Sequence, residues 1–184
     1  SAFAFAGAMV ALILVYPIGR VGNPGATSRL VLSGIAVGVI LNAMTQFFVS
    51  ISPDASTVRS IIAWTMGSLA SARWSNIAFP FFGSLLGSSF FMFTARAYNL
   101  MSQGDETAIS LGINVAVIKR LTILVVAFIT GVIVAAGGII GFVGFVIPHI
   151  IRMLAGADHR RLFPLSFLVG SVFLLWMDVL ARTL

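Results

Sequence analysis

The sequence predicts an all-α, polytopic transmembrane helix bundle of about six spans. Three observations carry that prediction. Of 184 residues, 59% are hydrophobic and only 9% charged, against about 25% charged in ordinary soluble domains. Mean hydropathy is +1.10. The apolar residues gather in stretches long enough to cross a hydrocarbon core, with the scarce charges between them. A soluble fold would need more polar side chains than these to clothe its exterior, so lipid must supply the covering.

A crossing takes roughly 17 to 25 apolar residues at about 1.5 Å rise per residue. Candidate spans run from Ala2 to Ile18, Leu30 to Ile51, Asn76 to Ala95, Leu121 to Ala136, Ile139 to Leu154 and Leu162 to Thr183. The first starts without an initiating Met, a basic leader region or a small-residue cleavage site, and the last runs straight into Leu184; a chain truncated at both ends is expected. The fifth span is the weakest. It is short, follows Gly137 and Gly138 almost without a loop, and contains Pro148, whose ring crowds the carbonyl of Gly144. A kinked or partly re-entrant helix is expected there.

Orientation follows from the cations. With the end of the first span placed in the cytoplasm, Arg20, Arg29, Arg96, Lys119, Arg120, Arg152, Arg160 and Arg161 fall on that side, and Arg59, Arg73 and Arg182 on the other. The larger group marks the cytoplasmic face. The formal charge of +6 is therefore topological. No basic run interleaved with aromatics is present, which argues against nucleic acid as a partner.

Within lipid, helices associate through close backbone approach, and Gly34 with Gly38, Gly83 with Gly87, and Gly137 with Gly141 each have the G-x-x-x-G spacing of a packing face. The GGIIGFVG stretch lacks a surrounding βαβ unit and a following Lys, and no P-loop occurs, so ATP binding through a P-loop is excluded. There is no cysteine, hence no thiolate metal site. His149 and His159 have no second His at helical spacing. They are expected to satisfy local partners, His149 near the proline and His159 in a polar turn with Asp158 and Arg160. No catalytic residue, bound cofactor or metal is expected.

Asp178 lies within a span, where an acid is costly, but Arg182 follows at i+4 and can pair with it. Asn42, Thr45 and Gln46 share one helical face. That face lines a passage or hydrogen-bonds neighbouring helices, and both readings stay open. An external segment, 51–74, contains an ISPD turn, a short surface helix over Thr57 to Leu69, and interfacial Trp64 and Trp74. A cytoplasmic segment, 97–118, contains NLMSQGDETAISLGINV. There Gly104 and Asp105 can start a short helix, Asp105 and Glu106 suit its positive end, and Gly112 can terminate it. Its apolar Ala108, Ile109 and Leu111 either rest on the bundle or enter a groove of another protein.

The stretches GDETAISLGI (Gly104 to Ile113) and GGIIGFVGFVIPHIIRMLAGADHRRLFPLS (Gly137 to Ser166), followed by Asp178-Val-Leu-Ala-Arg182, resemble the FecCD, BtuC-like permease family of ABC importers. The resemblance runs over essentially the whole chain. It implies ten spans in a complete permease subunit, of which residues 1–184 match spans four to nine. It implies a homodimer or paralogous heterodimer in the bacterial cytoplasmic (inner) membrane, two ATPase subunits that bind ATP and Mg inside, and a substrate-binding protein outside. Asp105, Glu106, Ala108, Ile109, Leu111 and Gly112 match the helix that couples to the ATPase, with Glu106 and Gly112 keeping the E-x5-G spacing of importer coupling loops. Thr27 and Ser28 match the small polar pair of the cytoplasmic gate. Arg182 matches an external arginine that docks the binding protein, a role in competition with its pairing to Asp178. The function implied is inward movement of an iron chelate, haem or cobalamin-type substrate, coupled to ATP hydrolysis on separate subunits. A secondary transporter, which would want a mid-membrane acid, or a structural membrane subunit is the alternative.

Overall fold

A computed structural model describes residues 2–20, 27–67, 74 and 77–183. Among them lie eight helices and no strand: α1 (Ala2–Arg20), α2 (Thr27–Ile51), α3 (Ala55–Met66), α4 (Ala78–Met101), α5 (Asp105–Ser110), α6 (Val115–Gly137), α7 (Val143–Ala155) and α8 (His159–Thr183). The large helices form a row in the order α2, α1, α6, α4, α8, α7, with α5 tucked between the C-terminal end of α4 and the N-terminal end of α6. Side-chain meetings fix the directions. The position of Gly131 near the end of α6 approaches Phe5 and Ala8 at the start of α1. Gly83 and Gly87 of α4 meet Val132 and Ile129 of α6, and Phe91 of α4 meets Phe163 of α8. Neighbours in the row therefore run antiparallel.

Four helices are long and apolar enough to cross a membrane: Val31–Ile51 within α2, and α4, α6 and α8. Phe5–Gly19 of α1 is a shorter apolar helix, as is α7. Several helices outrun the expected spans. α4 continues to Met101, α6 begins at Val115 and α8 at His159, while the helix expected over Thr57 to Leu69 starts earlier and runs over Ala55–Met66, residues 68 and 69 lying outside the described residues. Hydropathy registers where lipid ends, whereas helix ends are set by caps. Asn114 accepts from the Val117 N–H at 3.1 Å to start α6, and Asp54 accepts from the Ser56 and Thr57 N–H groups at 3.1 and 3.2 Å to start α3.

The fifth stretch departs most from expectation. α7 is only 13 residues, about 20 Å long, against roughly 30 Å of hydrocarbon. Its Ile147 faces Gly170, midway along α8, so its N-terminus lies at membrane depth. The helix continues through Pro148, and the break is upstream, at residues 138–142. There Phe142 adopts φ 64°, and the Val143 N–H donates to the Gly141 carbonyl at 2.8 Å in a tight three-residue turn. Gly138, at φ 78°, is buried against the end of α3. A side chain there would stand 2.5 Å from the Trp64 carbonyl oxygen and 2.8 Å from the Gly67 Cα.

The three glycine pairs behave differently. Gly83 and Gly87 pack as expected, since a Cβ at Gly87 would lie 1.9 Å from Ile129 Cδ1. Gly34 and Gly38 have nothing within 4 Å, nor has Gly141. Among the described residues Gly34, Gly38 and Gly141 thus meet no neighbour: α2 meets α1 through buried Ser33 and Val37, with Ser33 Oγ donating to the Val15 carbonyl at 3.3 Å. Their face of α2 points away from α1.

Gly138→Ala is expected to cost about 1–3 kcal/mol, because the conformation is nearly exclusive to glycine and the obstructing atoms are backbone. Gly141→Ala, in open space, is expected to be near neutral. Thermal melting of the detergent-solubilised protein, followed by size exclusion, distinguishes them.

Candidate functional site

The segment joining α4 to α6 is compact because its connections are short. α4 ends at Met101, residues 102–104 turn, α5 spans Asp105–Ser110, and residues 111–114 lead into α6. The segment 97–118 thus takes in the last turns of α4 and the first turn of α6 as well as α5. Gly104 occupies φ 120° and Gly112 φ 83°. The helix closes in a two-bond motif, with the Gly112 N–H on the Ile109 carbonyl at 2.9 Å and the Ile113 N–H on the Ala108 carbonyl at 3.0 Å. Gly112 therefore ends the helix as expected.

The side chains of α5 divide into two groups. Ala108 is fully buried against the bundle, whereas Ile109 and Leu111 are 60% and 59% exposed and Glu106 is exposed beside them. Ala108, grouped from the sequence with the coupling residues, is the foot of the helix on the bundle. Asp105 turns sideways to pair with Lys119 of α6 at 2.5 Å. The exposed face left for another protein is Glu106, Ile109 and Leu111.

Sequence reasoning missed the residues that hold this segment to the rest of the bundle. Asn99, on the last turn of α4, accepts through Oδ1 from the His159 N–H at 2.8 Å and meets His159 Nδ1 at 2.7 Å. Its Nδ2 donates to Asp158 Oδ1 at 2.6 Å. Asp158 also accepts from the Arg160 N–H at 3.0 Å, and the Asn99 amide and that N–H hold its carboxyl below the usual carboxylate range. Tyr98 shares a hydroxyl hydrogen bond with Thr122 of α6 and packs its ring near His159 and Phe163. His159 is thus the first residue of α8, partnered to another helix, and not part of a turn. Asn99 and His159 lie 60 positions apart, so no local pattern joined them.

His149 is exposed and lies parallel to the Phe145 ring at 6.3 Å, with no hydrogen bond to it among the described residues; the polar partner expected near the proline is not found. Among the described residues no three of His, Cys, Asp and Glu gather as metal ligands. α2 begins at Thr27, but the side chains of Thr27 and Ser28 lie outside the described residues.

Toward the outer face, Asn42, Thr45 and Gln46 border a cavity of about 430 Å³ together with Gly38, Ile61 of α3 and Ile139. Thr45 Oγ1 donates to its own helix at the Leu41 carbonyl, 2.9 Å away. At the end of α8, Arg182 pairs with Asp178 at 2.7 Å, while the Arg182 side chain keeps 51% exposure. The ion pair and an outward-facing cation therefore coexist. The cations group as their loops required, with Arg96, Lys119, Arg120, Arg152, Arg160 and Arg161 at the α5 end and Arg59 and Arg182 at the other; Arg73 lies outside the described residues.

The model of the FecCD transport family matches residues 1–184. The chain belongs to the FecCD transport family. Among FecCD relatives, it is 40% identical over 188 residues to the hemin transport system permease protein HmuU of Yersinia pestis, covering 98% of this chain and 54% of that one. It is 38% identical to the cobalamin import system permease protein BtuC of Halobacterium salinarum, covering 97% and 48%. The chain thus spans about half the length of these relatives. A solved inward-facing ABC transporter assigned to the metal-chelate type shares 30% identity and superposes with a TM-score of 0.84, over 98% of this chain and 64% of that one. This FecCD chain is a multi-pass membrane protein, in keeping with its apolar spanning helices.

The start of helix α3 of this FecCD chain is expected to depend on pH. Hydrogen bonds from the Thr57 and Ser56 hydroxyls and the Ser56 N–H lower the Asp54 carboxyl from 3.8 to about 2. A depressed folded pKa stabilises above the unfolded value and is lost as pH falls through the folded one. Protection of the first α3 amides, corrected for intrinsic exchange, is expected to hold down to about pH 4 and to fall toward pH 2. Hydrogen exchange with mass spectrometry checks this, and Asp54→Ala is expected to abolish the pH step.

Proposed function

We propose that this chain is part of the membrane permease subunit of an ABC importer that moves an iron chelate, haem or a cobalamin-type corrinoid inward. Energy comes from ATP and Mg on separate ATPase subunits, an external binding protein delivers the substrate, and a second permease copy or paralogue completes the pathway. The observation that carries the reading is α5. It is a rigid, short helix anchored by buried Ala108 and by the Asp105–Lys119 pair, and it presents Glu106, Ile109 and Leu111 outward on the side marked cytoplasmic.

An ATPase that closes on ATP must push on something that neither bends nor slides, and a helix held at both ends transmits such a push. Exposed Ile109 and Leu111 supply the apolar anchors and Glu106 the charge of a helix-in-groove contact. On the path itself, Thr27 and Ser28 serve as the cytoplasmic gate, where small side chains close tightly and part without baring much apolar surface. Asn42, Thr45 and Gln46 line the route beside the outer cavity. Arg182, oriented by Asp178 and still exposed, receives an acidic residue of the binding protein. No covalent chemistry falls to this chain. The substrate class follows relatives named for hemin, cobalamin and Fe(3+)-citrate import.

The test is ATP-driven uptake of radiolabelled haem, a ferric siderophore and cobalamin into proteoliposomes holding the permease with its ATPase and binding protein. Glu106→Arg reverses the charge facing the ATPase, and Gly112→Pro forces φ negative where it is +83°. Each is expected to lower uptake at least about tenfold, the loss of one interface anchor. Unchanged uptake in both variants would sink the coupling assignment.

A further inference from the structure

The coupling helix is carried by α4 and α6, yet the exposed arginine at the outer face belongs to α8. One polar junction ties the two. Three residues before α4 gives way to Ser102, Asn99 reaches across to the start of α8. The chemistry fixes how its amide is turned: a backbone N–H can only donate, so the atom facing the His159 N–H is the oxygen, and the NH2 group faces the Asp158 carboxylate. The His159 ring then donates from Nδ1 to the same oxygen. A helix start leaves its first N–H groups without intrahelical acceptors. Here Asp158 accepts from Arg160, and a residue of a different helix accepts from His159.

α8 therefore cannot part from α4 at this point without orphaning its first N–H and breaking the carboxylate–amide bond. Aromatic packing backs the junction, with Tyr98 5.6 Å from Phe163 and Phe91 5.4 Å from Phe163 between ring centroids. From the junction α8 runs 25 residues without a break to Arg182 and Thr183, about 37 Å. One rigid helix thus joins the base of the coupling segment to the outer ion pair.

We propose that the Asn99–Asp158–His159 clasp transmits displacement of the coupling segment to α8, and through it links the ATPase side to the external Arg182 face, with Asn99 as the positioning residue. This rests on the permease reading above. It sets the clasp apart from a static tie: the clasp governs how strongly events at one face are felt at the other, over and above keeping the bundle assembled.

The experiment measures phosphate release by the assembled transporter in proteoliposomes, with and without its binding protein. Asn99→Asp keeps the acceptor for His159 but sets a second carboxylate against Asp158. It is expected to leave basal hydrolysis near the wild-type value and to lower the stimulated-to-basal ratio about threefold or more. The swapped pair Asn99→Asp with Asp158→Asn rebuilds the cross-helix bond with donor and acceptor exchanged, giving up the contact of Asp158 Oδ1 with the Arg160 N–H, and is expected to restore most of the ratio. Equal loss of basal and stimulated rates, or a wild-type ratio in Asn99→Asp, overturns the clasp. Should Asn99→Asp alone fail to assemble, the swapped pair decides: restored stimulation supports the clasp, while an unstimulated or unassembled complex overturns it. Glu106→Arg in the same assay keeps the two proposals separate. If it uncouples transport while Asn99→Asp does not lower stimulation, the clasp alone falls; if it has no effect, the parent reading falls.

Discussion

Hydrocarbon offers no hydrogen bonds, so every backbone N–H and C=O at membrane depth must find its partner inside the protein. The rest of this structure follows from that constraint. The described spanning segments are helices, and α6 meets its neighbours through glycines or at one: Gly83 and Gly87 of α4 on one side, its own Gly131 under Phe5 on the other. Among the described residues, the irregular stretch 138–142 beside α7 is tolerated because Gly138 is buried against Gly67 and the Trp64 carbonyl and Ile139 borders the cavity beside α2. Irregular backbone survives in a membrane where protein or a cavity lines it, and here both do.

The two membrane faces are held by different means. At the cytoplasmic end, hydrogen bonds of Asn99, Asp158 and His159, the Tyr98–Thr122 pair and the Asp105–Lys119 pair join α4, α5, α6 and α8. These contacts lie outside hydrocarbon, where an ion pair as exposed as Asp105–Lys119 contributes little by itself; their strength lies in acting together over short connections. At the outer end, α3 is set by the Asp54 cap and by the close approach of Gly67 and Gly138, and α8 finishes on the Arg182–Asp178 pair. The wide exposed surface of α2, with open Gly34 and Gly38, stands in contrast.

The all-α bundle, most of its apolar helices and its family were legible in the chain. Solvation sets them: apolar runs must lie in lipid, cations stay at the cytoplasmic rim, and glycine spacing allows close approach wherever a helix happens to arrive. The short helix starting at Asp105 and ending near Gly112 was legible too, since caps and left-handed glycines are local devices. Other features were decided only when the helices met. Three apolar residues of one short helix looked equivalent, yet packing buried Ala108 and turned Ile109 and Leu111 outward. The break in the fifth stretch fell at Phe142 and not at Pro148, because the end of α3 occupies the space beside Gly138. The partnership of Asn99 with Asp158 and His159 joins residues some 60 positions apart, and such a bond exists only once α4 and α8 lie side by side. Solvation and local backbone chemistry act along the chain and can be read from it, whereas the pairing of distant polar groups depends on which helices pack together.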